Sequence, residues 1–196
     1  IYQGRYQEAY SIASQALESN RANLGERHYT SLILQIVVGM ADFYLGNIPA
    51  CVQKLGSIIE FIQDYSPIML LQSSVTLLAR IAAYQGRIEK ARYWLELGEN
   101  CARKWKLGRL SLELKAQRIL IELQFGDVEL ARHLAEIYRF PRRMTEPVPV
   151  GVMASMQYRV RSFIAAHLAL ADGDHDYALK FFDAELQKAK RSGNHM

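Results

Sequence analysis

The sequence predicts an all-α fold, a superhelical solenoid of about five helix hairpins that repeat with a period of about 40 residues. A glycine with alanine or cysteine five residues later recurs along the 196-residue chain, and these glycines are 42, 40, 40 and 47 residues apart. Each glycine separates two apolar runs at helical spacing, so each unit contains two helices. The pairs are Gly4/Ala9, Gly46/Cys51, Gly86/Ala91, Gly126/Ala131 and Gly173/Ala178.

The repeats form one domain that we expect to be a fragment of a longer chain. The first unit lacks its first helix, and the chain stops where another first helix is expected. Repeat arrays normally carry polar caps at both ends, whereas Tyr2, Tyr6 and Ala9 leave an apolar end here. The units cover approximately residues 1–25, 26–66, 67–106, 107–150 and 151–196.

The second helix of each unit presents one apolar stripe, with residues at offsets of three and four. The glycine supplies the positive φ that ends the first helix, and the small residue after it lets the two helix axes approach closely. The predicted stripes are Tyr6, Ala9, Ala13 and Ala16; Ile48, Cys51, Leu55 and Ile58; Ile88, Ala91, Leu95 and Gly98; and Val128, Ala131, Ala135 and Tyr138.

The first helices are richly apolar and have a contact position seven residues before each glycine. Gly39, Ala79 and Ala166 are small there, whereas we expect Ile119 to push its neighbour outward. One long interruption, Arg139–Gly151, accounts for the 47-residue interval. Its prolines exclude a helix and predict an extended surface loop.

Composition restricts the classes of protein that the chain can belong to. Half of the residues are hydrophobic, and the longest uncharged apolar run, Tyr29–Ala41, is too short to span a membrane. No signal peptide is recognisable, and Cys51 and Cys101 lie in apolar helical patterns, so we expect reduced thiols and a cytoplasmic protein. The net charge of +4 comes from interspersed acidic and basic residues, which does not favour nucleic-acid binding.

The repeat signature resembles the tetratricopeptide repeat. An aromatic or β-branched residue follows the glycine by two, alanine by five, and small or apolar residues by nine and twelve, as in the second helix of that repeat. The intervals between the glycines exceed the tetratricopeptide period of about 34 residues. HEAT-type repeats are the alternative, but they lack a glycine that is followed by alanine five residues later. The lengthened tetratricopeptide-like hairpins and the segment "GDVELARHLAE" resemble the sensor domain of MalT-like large ATP-dependent transcriptional activators of the LuxR type.

That resemblance implies an effector-sensing and protein-interaction domain. Binding of a small-molecule inducer or a regulatory protein would be coupled to self-association of the full chain. In such proteins a nucleotide-binding module precedes the repeats and a helix-turn-helix follows them. ATP and DNA contacts therefore belong to the full-length protein, and we expect this fragment to hold no cofactor and to contact no nucleic acid or membrane directly.

The sequence contains no motif typical of catalysis. Walker, dinucleotide, nucleophile-elbow and zinc-helix motifs are missing, and the five histidines show no i, i+4 pairing. We therefore expect a protein that is not an enzyme, with no catalytic or metal-binding residues. The pairs Glu96/Glu99 and Asp172/Asp174 are more typical of solvated helix faces, and Asp127 and Asp174 are predicted helix N-caps.

Two basic groups allow two interpretations. The first contains Arg103, Lys104, Lys106 and Arg109, and the second contains Arg139, Arg142 and Arg143. Either group could attract phosphate or an acidic partner. A solvated edge is the interpretation we favour for both, and in the first group positive charge after a helix C-terminus also complements the helix dipole.

The concave face of a solenoid, lined by first helices, is the expected binding surface. Positions thirteen, ten, six and three residues before each glycine should face it. The predicted ligand-binding residues are Ser73, Thr76, Arg80, Glu113 and His167, with Phe43 and Phe163 as stacking faces. The alternative is that Arg80 and Glu113 pair across neighbouring helices and that His167 is a packing residue.

A tetratricopeptide-type adaptor that binds a peptide or protein partner is the alternative function. A groove for an acidic peptide tail needs several inward basic or amide side chains. The predicted lining has one arginine, Arg80, and this favours the sensor.

Overall fold

The computed structural model describes residues 5–62, 68–125, 127–144 and 152–191 and confirms the all-α class, because these ranges contain helices and turns but no strand. None of the helices in these ranges is both long and apolar enough to cross a membrane. In chain order the ranges contain α1 (Tyr6–Leu24), α2 (Tyr29–Tyr44), α3 (Ile48–Ile62), α4 (Ile68–Tyr84), α5 (Ile88–Lys104), α6 (Gly108–Gln124), α7 (Val128–Ile137), α8 (Val152–Ala171) and α9 (His175–Arg191).

The helix pairs turn at the predicted glycines. Gly46, Gly86 and Gly173 have φ values of 82°, 72° and 81°, a left-handed conformation in which a side chain is strained. The amide after each glycine bonds back to a carbonyl five residues earlier, as from Asn47 N to Asp42 O at 2.8 Å. This is the Schellman closure of a helix C-terminus. Gly4 and Gly126 lie outside the described residues.

The small residues predicted five positions after each glycine are buried. Cys51, Ala91, Ala131 and Ala178 are each no more than 1% exposed. Gly39 lies seven residues before the turn glycine Gly46, and a Cβ added to Gly39 would lie 2.9 Å from Leu55 Cδ2. An alanine at position 39 would therefore displace the Leu55 side chain, so glycine favours the close approach of α2 and α3.

The chain divides into two compact units, Ile1–Trp105 and Lys106–Met196. In the first, α2 packs against α1 and α3, and α4 packs against α3 and α5 while also touching α2. Its core includes the fully buried side chains of Leu55, Leu78 and Leu95. The first helix α4 therefore lies on the hairpin formed by α2 and α3.

The second unit contains α6, α7, α8 and α9, and its first helix α8 rests mainly on α6 and not on the second helix of the preceding hairpin as α4 does. Helix α6 packs against α7 and α8, and α8 packs against α9. One hydrophobic cluster joins the first three of these helices and contains Ala116, Ile119, Ala131, Leu134, Ala135, Phe140, Ile164 and Leu168. The first helix α8 is thus packed on the α6–α7 hairpin through its buried side.

Helix α7 has 10 residues and is the shortest helix in the described ranges. As predicted, Asp127 caps its N-terminus, because Asp127 Oδ1 accepts from Leu130 N at 3.1 Å. Its end is set by Arg139, which has φ of 58°, and by the bond from Phe140 N to Ala135 O at 2.8 Å. Because an arginine and not a glycine ends this helix, the recurring glycines do not predict where α7 ends.

The predicted loop Arg139–Gly151 is described only as far as residue 144, and residues 145–151 lie outside the described part of the chain. The described part turns back onto the second unit. Phe140 is 5% exposed, and Arg161 covers its ring at 5.6 Å while donating to Arg139 O at 2.8 Å.

Candidate functional site

Helix α4 carries three of the predicted ligand-binding residues. Ser73 and Thr76 are half-buried, and Arg80 is exposed. Their spacing of three and four residues places them on one face of α4.

Glu113, in the second unit, already accepts a hydrogen bond from a residue of its own helix. Glu113 Oε1 accepts from Arg109 Nε at 2.9 Å, an i, i+4 pair on α6. This bond satisfies part of the carboxylate, which weakens its claim to be a ligand-binding group.

Phe43 is half-buried among aromatic side chains of the first unit. Its ring meets Tyr44 edge to face at 5.3 Å, and Tyr44 stacks on Tyr6 at 4.3 Å. Neighbouring rings therefore already engage both Phe43 and Tyr44.

Phe163 and His167 are the two predicted residues that the structure brings into direct contact. Their ring centroids are 4.5 Å apart in an edge-to-face arrangement. Phe182 on α9 lies 5.2 Å from His167 and 6.3 Å from Phe163, and Phe181 lies 6.4 Å from Phe163. Sequence reasoning missed both α9 rings, although Phe182 stands nine residues after Gly173, at an apolar position of the repeat.

These rings lie in an incompletely covered apolar surface of the last hairpin. Phe163 and Leu170 on α8 are 41% and 46% exposed, and Leu179 and Leu186 on α9 are 58% and 42% exposed. Offsets of three, four and seven put each group on one helix face, and Phe182 joins the two faces. We name this the α8–α9 aromatic surface, comprising Phe163, His167, Leu170, Leu179, Phe182 and Leu186.

His167 gives this surface a polar group without a charge. Burial among the rings lowers the pKa of His167 from its ordinary value of 6.5, because a desolvated imidazole favours its neutral form. A neutral imidazole has one nitrogen that donates and one that accepts. The surface can therefore hold the apolar part of a ligand and orient a polar group of the same ligand by a hydrogen bond.

The turn between α8 and α9 is held by polar contacts. Asp174 Oδ1 accepts from Tyr177 N at 3.4 Å, as predicted for an N-cap, and Asp174 also pairs with Arg143. Arg132 Nη2 lies 2.6 Å from Asp172 Oδ1. These contacts tie the α8–α9 turn to α7 and to the segment that follows α7.

The basic groups have carboxylates close by. Arg142 Nη2 lies 2.9 Å from Glu136 Oε1, and the Arg143 pair with Asp174 neutralises a second member of that group. In the first group, Arg109 Nε lies 2.9 Å from Glu113 Oε1, and Arg103 Nη2 donates to the amide oxygen Oδ1 of Asn100 at 2.8 Å. These contacts favour the solvated-edge interpretation over an anion site.

The described residues include no group of three or more histidine, cysteine, aspartate or glutamate side chains that could hold a metal ion. Both cysteines are free and buried. Burial raises the pKa of the Cys51 thiol to about 11, so little reactive thiolate is present at neutral pH.

Comparison of the chain with protein-family models, with curated protein sequences and with solved structures gives no significant match. The function therefore has to be inferred from the repeat pattern and from the α8–α9 aromatic surface.

Proposed function

We propose that this chain is the effector-sensing and protein-interaction repeat domain of a MalT-like transcriptional regulator of the LuxR family. It would act in the cytoplasm, as a superhelical solenoid of lengthened tetratricopeptide-like hairpins. Binding of a small-molecule inducer or a regulatory protein would shift an equilibrium between closed and self-associating forms of the full chain. ATP and DNA would bind to other modules of that chain.

The packing within each unit supports the solenoid. In the first unit α4 lies against α2 and α3, and in the second α8 lies against α6. In both cases a first helix contacts the preceding hairpin. Contact between successive hairpins is what generates a solenoid when it is repeated.

The observation that carries the function is the α8–α9 aromatic surface. It combines four exposed apolar side chains with a half-buried imidazole on two helices. Acid–base catalysis would need titratable groups that converge on one point, whereas this surface has His167 alone among apolar residues. The surface is therefore better suited to binding a ligand than to catalysing a reaction.

The same exposed apolar residues favour the alternative function, an adaptor for a peptide or protein partner. A partner helix could lay its apolar face on Leu179 and Leu186. The adaptor differs from the sensor in needing no small effector and no flanking regulatory modules.

A thermal-shift screen of the chain against small metabolites tests the sensor. An effector at 100 times its Kd should stabilise the folded chain by about 2.7 kcal/mol. We expect Phe163→Ala and His167→Asn to abolish the shift, and Phe125→Ala, which removes a 37% exposed ring outside this surface, to retain it. Equal shifts in all variants would remove the surface from effector binding.

The coding sequence on both sides of the fragment separates the two functions. A phosphate-binding loop upstream and a helix-turn-helix downstream would support the regulator. Stop codons close to both ends would contradict it and leave the adaptor.

A further inference from the structure

We infer that the α8–α9 aromatic surface is a self-association interface, on which α9 of a second copy of this chain packs in antiparallel orientation. The inference rests on the proposed function, because it assigns the self-association proposed there to a specific surface. An effector and a second copy would compete for this surface. Effector binding is measured separately below, so the two proposals can fail independently.

The repeat itself indicates that a helix covers this surface. In the second unit, Ile164 and Leu168 of α8 pack on the α6–α7 hairpin in one cluster with Ala116 and Ala135. Leu120 and Leu123 belong to the same cluster. An amphipathic helix thus occupies this face of the α6–α7 hairpin.

The α8–α9 aromatic surface is the equivalent face of the next hairpin. Counted from the glycines at 126 and 173, Ala116 corresponds to Phe163, and Ala135 corresponds to Phe182. Ala116 is 4% exposed beneath α8, whereas Phe163 is 41% exposed. Large apolar side chains therefore stand exposed at positions that the preceding hairpin buries against a helix.

Helix α9 has the stripe that such a docking helix needs. Leu179, Phe182 and Leu186 follow one another at spacings of three and four residues along α9, the pattern by which an amphipathic helix presents an apolar face. The surface of one copy and the α9 stripe of another therefore match in chemistry, and a two-fold axis makes each copy both donor and acceptor of the helix.

Charge complementarity favours the antiparallel orientation. Asp176 and Lys190 are exposed near opposite ends of α9, and helical periodicity puts them on the same flank of the stripe. If Leu179 lies opposite Leu186 of the second copy, Asp176 lies beside Lys190 of that copy. Two-fold symmetry forms this pair twice, whereas in parallel packing Asp176 and Lys190 lie at different heights along the two helices and cannot pair.

Sedimentation equilibrium of the full 196-residue chain tests the interface. We expect a reversible dimer whose Kd rises at least about ten-fold, the loss of about 1.4 kcal/mol, in the double variant Leu179→Gln/Leu186→Gln. Ile12→Gln is the matched control, because Ile12 is 61% exposed on α1 in the other unit, and it should leave the Kd unchanged. Equal effects of both changes would overturn the inference.

Charge reversal tests the orientation without removing apolar surface. Asp176→Lys or Lys190→Asp alone should weaken the dimer by roughly 2- to 30-fold, as expected for two exposed ion pairs. The double reversal Asp176→Lys/Lys190→Asp should restore the wild-type Kd, although it carries the helix-dipole penalties of both single changes. Circular dichroism melts verify that every variant folds.

Two results would overturn the inference: a wild-type chain that stays monomeric up to about 1 mM, or a double reversal that fails to restore the dimer. A thermal-shift response to an effector that persists in the monomeric variants would show that sensing stands without this interface. A dimer with the expected variant pattern and no effector would support the interface alone.

Discussion

At the scale of single residues, the neutral state of His167 makes the stability of the chain depend on pH. Burial lowers the pKa of His167 below 6.5 in the folded chain, so the unfolded chain takes up the proton first as the pH falls. The stabilisation is complete above pH 6.5 and is lost as the pH falls through the folded-state pKa.

We therefore expect the wild type to lose more unfolding free energy than His167→Asn between pH 7.5 and 5.5, by at most about 1.4 kcal/mol. Urea unfolding at three pH values measures this difference, and the remaining histidines are common to both proteins. Parallel pH profiles would contradict a neutral, desolvated His167.

The buried ion pair between Asp42 and Lys54 links α2 to α3. The Asp42 side chain is 2% exposed and that of Lys54 is 29% exposed, while Asn47 Nδ2 donates to Asp42 Oδ1 at 3.2 Å. Removal of the cation alone would leave a buried carboxylate with one neutral donor, and an unpaired buried charge is strongly destabilising.

Lys54→Met should lower the unfolding free energy by about 3 kcal/mol, and Asp42→Asn/Lys54→Met should recover much of that loss. Urea unfolding of the four proteins in a double-mutant cycle measures the coupling. Lys188→Met is the control, because Lys188 pairs with Glu185 while 67% exposed, and this change should cost less than about 1 kcal/mol. A Lys54→Met loss no larger than the control would argue against the buried pair.

At the scale of helices and turns, glycines of the first unit have three different physical roles. Gly86 has φ of 72° at a hairpin turn, Gly39 faces Leu55 across a close helix contact, and Gly56 lies in α3 with open space around it. The same substitution to alanine should therefore have three different effects.

We expect Gly86→Ala to destabilise by about 1–2 kcal/mol through left-handed backbone strain. Gly39→Ala should cost about 1–3 kcal/mol because Leu55 has to move, whereas Gly56→Ala should stabilise by about 0.5–1 kcal/mol. Thermal and urea unfolding of the three variants give the order. A stabilising Gly86→Ala would show that this turn does not need a positive φ.

The hairpin turns could be predicted from the sequence because glycine at a positive φ and a small residue five positions later have direct physical causes. The end of α7 could not be, since Arg139 adopts the left-handed conformation without being glycine. Half of the aromatic cluster was found, because Phe163 and His167 follow the phase of the first helix. Phe181 and Phe182 join it through the packing of α9 on α8, which periodicity within one helix does not determine.

At the scale of the whole molecule, the two compact units are built from the same elements but packed differently, since α4 rests mainly on the second helix of the preceding hairpin and α8 on the first. Each contains a hairpin on which the next first helix is seated, α4 in one unit and α8 in the other. Each also has its own large buried side chains, among them Leu55 and Leu78 in the first unit and Leu114 and Ile164 in the second.

A chain segment of about 100 residues with its own core is long enough to fold alone. We therefore expect residues 1–105 and residues 106–196, expressed separately, each to give a helical circular dichroism spectrum and a single cooperative urea transition. The m-value of each fragment should be smaller than that of the full chain, since m grows with the surface exposed on unfolding. A fragment that is helical but unfolds without cooperativity would show that its core needs the rest of the chain, and the repeats would then stabilise one another over a longer range than their internal packing indicates.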